Sequence, residues 1–301
     1  MDKFRKKQFS SIEKLISLVT KDKSKQKIIV LSSPDKADKL FEEIKGTINC
    51  LHIPHFETLP YDFFSPSKRI INQRLTAFAQ LKNNSSFNIV TSIQSLIDLC
   101  PPKESLFSVE SLEVNKPFDR NILIKELLAV GYKKTDLVEE LGEFATRGQI
   151  IDIFACGNRL PIRIEEFDNE IISLRTFNPK NQSTVKKIDS ISILPPNEFM
   201  FNKEGVNLFK KNWRLRFEED EDDCEIFNSL SNLKETEGGE IYSKLFFNEP
   251  TYLIDYLNDN YEFYIEDSWI ESLNSFYELI YSRYENYKFD STRPLLSPNE
   301  V

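Results

Sequence analysis

The sequence contains two histidines, His52 and His55, and with Cys50 they form the spacing C-x-H-x-x-H. Thiolate and imidazole groups at such intervals hold zinc when the chain folds them onto one ion. Here Cys50 and His52 share one face of a predicted strand, Pro54 breaks the chain before His55, and no second ligand cluster follows. No metal site is expected. Any His-dependent triad would also have to use these two rings, and no activated nucleophile is evident for them. Paired carboxylates recur, as in Glu139-Glu140 and Glu165-Glu166. Neighbours in a strand point to opposite faces, however, so such a pair cannot act on one substrate atom.

Glycine excludes two further chemistries. The 8 glycines stand at 46, 131, 142, 148, 157, 205, 238 and 239, and no two are five positions apart, so the phosphate loop G-x-x-x-x-G-K-[ST] cannot be written. The adjacent pair Gly238-Gly239 has no third glycine nearby, which removes G-x-G-x-x-G. An intact P-loop nucleotidase and a dinucleotide-fingerprint dehydrogenase are both excluded. The expectation is a chain with no catalytic residues and no cofactor.

What remains is the chemistry of recognition. Pro161 to Phe167, then Asp168-Asn169, then Glu170 to Arg175 reads as a hairpin, with Asp-Asn tolerating positive φ in a tight turn. The period of two puts Ile162 and Ile164 on one face and Arg163, Glu165 and Phe167 on the other. An exposed aromatic beside an arginine is the composition of an interaction hot spot. The alternative is that Phe167 packs under a neighbouring loop while Arg163 makes a surface ion pair with Glu165.

These residues must be positioned by a mixed α/β chain. Ile12, Leu15, Ile16 and Val19 behind Ser10-Ser11 predict a capped amphipathic helix over 10–20. The runs Ile28 to Leu31, Asn49 to Ile53 and Phe87 to Ser92 predict strands, with helices carrying Ala37 to Ile44 and Asn72 to Leu81 between them. That alternation implies a parallel sheet covered by helices. After Pro101-Pro102 a helix over Arg120 to Val130 ends at Gly131, and closely spaced strands fill about Leu137 to Leu194 until Pro195-Pro196. Glu218 to Asp223 are six consecutive acids and read as an exposed loop.

At 301 residues, with 40% hydrophobic and 12% aromatic side chains, the chain is long enough for about two domains with real cores. Its four cysteines lie far apart with no C-x-x-C and read as buried reduced thiols. Neither a signal peptide nor a membrane span is evident, and a cytoplasmic location is expected. The net charge of −9 is uneven. Residues 1–100 have 16 basic and 10 acidic side chains, net +6; 101–200 have 13 and 16, net −3; 201–301 have 10 and 22, net −12. The basic head, with Lys3, Arg5, Lys6, Lys7, Lys21, Lys23, Lys25 and Lys27, is the one place phosphate contacts could start, and it reads mainly as a solvated helix face and loop.

Several ordered motifs together resemble a known family. Glu57-Thr58-Leu59-Pro60-Tyr61-Asp62-Phe63-Phe64-Ser65-Pro66, the strip Gly142 to Gly148 running into Ile150-Ile151-Asp152-Ile153-Phe154, the hairpin Arg163 to Phe177, Tyr242 to Pro250 and Arg293-Pro294-Leu295-Leu296 look like the N-terminal module of bacterial transcription-repair coupling factors (Mfd). That module is itself similar to the damage-recognition protein UvrB, and the resemblance covers nearly the whole chain. It implies a helicase-like (UvrB-like) α/β parallel-sheet domain with an inserted mixed α/β domain rich in antiparallel strands. The divisions would be 1–109 (domain 1a), 110–195 (inserted) and 196–301 (domain 1b).

The resemblance also implies a partner. In the family the inserted domain docks the excision-repair protein UvrA, and motif by motif the docking residues correspond to Arg147, Arg163 and Phe167. RNA polymerase and DNA are expected as partners only through domains outside this sequence, and the full-length family member would be an ATP-dependent DNA translocase. The rival expectation is a UvrB-like protein that binds nucleotide and damaged DNA, suggested by the shared architecture and the basic head. Against it, residues 1–45 contain no glycine, and the segment resembling UvrB's acidic box reads Ile265-Glu266-Asp267-Ser268-Trp269, with its acids reordered and its histidine replaced. The stretch between Pro66 and Arg74 is also too short for the aromatic hairpin with which UvrB grips DNA.

Overall fold

The computed structural model describes residues 5–21, 25–83, 86–106, 111–199, 201–217, 224–289 and 293–301. The first stretch runs β1 (Arg5–Phe9), α1 (Ile12–Lys21), β2 (Gln26–Leu31), α2 (Pro34–Ile44), β3 (Cys50–Ile53), α3 (Lys68–Asn83), β4 (Asn88–Ser92), α4 (Ile93–Ile97) and β5 (Leu99–Cys100). The middle stretch runs β6 (Ser111–Glu113), α5 (Arg120–Ala129), β7 (Lys133–Lys134), β8 (Glu143–Arg147), β9 (Ile150–Ile153), β10 (Ile162–Phe167), β11 (Glu170–Phe177), β12 (Thr184–Ile188) and β13 (Ser190–Ser192). The last carries α6 (Lys203–Arg214), α7 (Glu225–Ser231), β14 (Thr251–Tyr252), β15 (Tyr261–Glu266) and α8 (Trp269–Tyr287), with two short 3-10 helices at Gly239–Phe246 and Leu253–Tyr256.

Five strands form a parallel sheet in the order β1-β15-β2-β4-β3. Strand β15, from the last stretch, is inserted between β1 and β2, so the chain leaves this sheet, builds the middle stretch and returns. Both faces are covered. Ile28 and Val30 of β2 pack with Leu75 and Phe78 of α3, whereas Ile29 and Leu31 pack with Leu15 of α1 and Leu40 of α2. This is why the run Ile28 to Leu31 is uniformly apolar rather than alternating. Ser33 caps α2 by accepting the Lys36 N–H, with Pro34 in the first turn where it forfeits no hydrogen bond.

The head of the chain differs from the sequence expectation. Arg5–Phe9 is an edge strand, paired in parallel with β15, not part of a helix face or loop. Lys7 Nζ donates to Glu262 Oε2 at 3.0 Å and to the Tyr264 hydroxyl at 2.9 Å, and Lys27 is 1% exposed with Nζ on the Lys25 carbonyl at 2.7 Å. Both cations are thus paired within the chain. Lys3, Lys23 and the acidic run Glu218 to Asp223 lie outside the described residues.

The middle stretch builds a second sheet in the order β12-β11-β10-β9-β8-β7, antiparallel except between β7 and β8. Its inner face buries Phe144, Ile151, Ile162 and Ile164 with Leu123 and Leu127 of α5. Asp119 caps that helix through the Asn121 and Ile122 N–H groups. A third core in the last stretch is aromatic: Phe209 stacks on Phe246 at 4.8 Å, and Trp213 contacts Tyr242 at 5.2 Å.

Arg74 of α3 fastens the exit of the middle stretch to the parallel sheet. Its side chain is fully buried, donates Nε to Glu198 Oε1 at 2.6 Å, Nη1 to the Pro54 carbonyl at 2.9 Å and Nη2 to the Leu99 carbonyl at 3.1 Å, and lies over the Phe56 ring at 4.0 Å. Burial works against the Arg74 charge, and Glu198 and Asp98 more than offset it. Further ties are Gly157 N–H to Asn72 Oδ1 at 2.6 Å and the Lys133–Glu235 ion pair. Among the described residues no helix is long and apolar enough to cross a membrane.

Candidate docking face on the inserted sheet

Strand alternation determines which side chains leave the core of the second sheet. Ile162 and Ile164 are each 1% exposed towards α5, so Arg163, Glu165 and Phe167 occupy the opposite, outer face. Across the strands the register reads Ala145, Asp152, Arg163, Arg175 and Lys187 in one row, and Arg147, Ile150, Glu165 and Ser173 in the next. Arg147 therefore stands two strands from Glu165, about 10 Å, and Phe167 lies a further ~7 Å along β10.

Two turns converge at the end of this face. β8 and β10 both run antiparallel to β9, so the turn Gly148-Gln149 and the turn Asp168-Asn169 lie at the same end, tied by the Glu166 N–H to the Gln149 carbonyl at 3.0 Å. Gly148 has φ +53°, and Asp168 and Asn169 have φ +51° and +59°, the left-handed pair that a two-residue hairpin requires. Phe167, just before the turn, is 60% exposed. Ile172 and Val185, each an unpaired residue at a register shift in β11 and β12, are also more than half exposed.

The three expected site residues are thus on one face but in different states. Arg147 is exposed and donates Nη2 to the Asp136 carbonyl at 2.7 Å. Arg163 is not an open cation: Nε donates to Asp152 Oδ1 at 2.7 Å, Nη2 to Asp152 Oδ2 at 2.8 Å and to Gln182 Oε1 at 3.1 Å, and the guanidinium lies 4.7 Å from the Phe177 ring centre. Glu165 pairs instead with Arg175, the residue facing Arg163 on β11, which corrects the Arg163–Glu165 alternative. Phe167 is not covered by a loop. Sequence reading missed Asp152, Phe177 and Gln182. The available signal was an acid inside the apolar run Ile150 to Ile153, where a buried carboxylate demands a partner.

The other chemically suggestive residues sit elsewhere. His52 stacks on Phe41 at 4.9 Å, beside α2. His55 points away from it, with Nδ1 2.9 Å from Asp98 Oδ2 and its ring edge against Phe276. Burial pushes the Cys50 thiol up to about 11. Among the described residues no three His, Cys, Asp or Glu side chains are grouped to hold a metal. At the carboxyl end of the parallel sheet, where open α/β folds bind ligands, Glu266 Oε2 accepts the Ser32 N–H at 2.7 Å and Oε1 accepts Lys36 Nζ at 2.7 Å. The Ser32 N–H just before α2 and the Lys36 ammonium on its first turn are thus already paired with an anion from their own chain. Cavities of about 300 Å³ and 520 Å³ lie at the junctions between stretches, lined by residues such as Lys68, Asn197 and Glu240 or Arg69, Gln73 and Arg159, and by none of Arg147, Arg163 and Phe167.

A returning parallel sheet that carries an inserted antiparallel sheet with a polar and aromatic outer face defines a UvrB-like module. Residues 111–199 match the family model of the UvrB interaction domain. Over 286 residues the chain is 35% identical to the transcription-repair-coupling factor of Haemophilus influenzae, covering 92% of this chain and 25% of that protein. It is 34% identical over 281 residues to that of Escherichia coli K12 (91% and 24%), and 26% identical over 262 residues to that of Bacillus subtilis (81% and 22%). The chain corresponds to the N-terminal UvrB-homology module of the transcription-repair-coupling factors. It spans about a quarter of the length of these relatives.

Proposed function

We propose that this chain is a non-catalytic docking module that recruits UvrA for nucleotide excision repair, as part of a coupling factor acting at stalled RNA polymerase. The docking unit is the inserted domain, 110–195, carried by two UvrB-like parts, 1–109 and 196–301. Arg147, Arg163 and Phe167 make the contact. The observation that carries this reading is Phe167, 60% exposed at the tip of β10 on the same face as both arginines, within the segment that matches a UvrB interaction domain. Burying a phenyl side chain contributes about 1.5–3 kcal/mol. Arginines give charge-assisted hydrogen bonds to partner carboxylates and fix the register of docking. RNA polymerase and DNA are engaged through regions outside this sequence. The nucleotide-binding alternative has less support, because Glu266 already takes the Ser32 N–H and the Lys36 ammonium at the entrance to α2.

The test is retention of UvrA on the immobilised chain, comparing the native sequence with Phe167→Ala and Arg147→Ala, each shown by circular dichroism to remain folded. Phe167→Ala is expected to lose at least about tenfold in affinity, as a central hot-spot truncation does. Full retention by both variants would sink the assignment, and micromolar binding of ATP to the native chain would favour the alternative.

A further inference from the structure

We infer that Asp152 is a positioning residue of this interface, holding Arg163 so that only the Nη1 edge of the guanidinium meets the docking protein. The inference rests on the UvrA-docking reading. Asp152 stands in the middle of β9, directly across from Arg163, and its side chain is 3% exposed. Its two oxygens take Nε and Nη2 of Arg163 at 2.7 and 2.8 Å. The second Nη2 hydrogen goes to Gln182 Oε1, and Gln182 is itself held by φ +60° and by an Nε2 bond to the Pro179 carbonyl at 2.9 Å. Phe177, fully buried, floors the guanidinium. Three of the five N–H donors are thereby committed, and the two on Nη1 have no partner among the described residues.

Packing alone does not call for an acid at this position. Ile151 and Ile153 beside it are buried, and a β-branched residue would suit a central strand, whereas a carboxylate must be compensated once water is removed. What the acid supplies is orientation. A flexible arginine loses side-chain entropy when a partner immobilises it, and one already clamped in a bidentate pair has lost that freedom before docking. The pair also cancels most of the long-range field of Arg163. The two arginines then divide the work: exposed Arg147 steers encounter, and the clamped Arg163 governs how long the complex lasts.

The experiment is a double-mutant cycle on UvrA association and dissociation rates with Asp152→Asn, Arg163→Ala and the pair. Asp152→Asn preserves shape and is expected to shorten the lifetime of the complex by about tenfold with association within about twofold. In the Arg163→Ala background it should add less than about twofold, because its effect acts through Arg163. Arg163→Lys, which keeps the charge but cannot make the bidentate pair, should lose as much as Arg163→Ala. Native lifetime in Asp152→Asn, multiplication of the two losses in the double variant, or full rescue by Arg163→Lys would each overturn the inference. If Phe167→Ala loses binding while Asp152→Asn does not, only the positioning role fails; if the native chain does not bind UvrA, or Phe167→Ala binds like it, the docking reading fails first.

Discussion

Glu266 ends β15 at the N-terminus of α2, and its environment sets its titration. Burial works to raise this carboxyl, but hydrogen bonds from Lys36 and from Ser32 outweigh it and hold the group below the ordinary carboxylate range. On acidification the unfolded chain takes up the proton first. The contribution of Glu266 to stability is therefore complete above the ordinary glutamate range and is lost as pH falls through its lower folded value. Replacing it with glutamine is expected to lower the urea midpoint near neutral pH, with the gap to the native chain closing below about pH 4; a gap independent of pH would show that the charge is not what matters. Its sequence context was legible as an altered acidic box. Its partner was not, since Ser32 lies 234 positions away. The same limit hid Asp152: a single strand's pattern tells which face a residue takes, not which atom waits across the ladder.

Elements with a strong period or a marked turn were readable in advance. The apolar run of β2, the capped helix α2 and the hairpin β10–β11 with Asp168-Asn169 at its turn all follow from alternation and turn chemistry. Strand β1 did not, because Arg5-Lys6-Lys7-Gln8-Phe9 has no alternation and a single apolar residue, and pairing with β15 makes it a strand. The register shift in β11 that leaves Ile172 exposed is equally a property of two strands. The hairpin turn itself can be tested. With φ +59° at Asn169, Asn169→Val places a branched Cβ in the left-handed region and is expected to cost about 1–2 kcal/mol, whereas Asn169→Gly should be neutral or slightly stabilising. Urea unfolding of both variants decides this. Equal losses for Val and Gly would mean that the side chain of Asn169, not its backbone conformation, holds the turn.

At the scale of the molecule, charge and architecture separate support from contact. The net −9 is concentrated in residues 201–301, and part of the basic head is consumed by Glu262, Tyr264 and the Lys25 carbonyl. The inserted sheet is tied to the rest through Gly157–Asn72 and Lys133–Glu235, while Arg74–Glu198 holds the chain just after it, and Arg147 and Phe167 stay exposed on its outer face. Removing one partner of a buried pair such as Arg74–Glu198 is far more damaging than the pair's net worth suggests, so this pair anchors the chain where it leaves the inserted domain. Amide hydrogen exchange with and without UvrA reads the contact directly. Slowed exchange across 147–150 and 163–173, with β2 and β4 unchanged, is the expected footprint; protection confined to the parallel sheet or α8, with those two segments unaffected, would contradict docking through the inserted sheet.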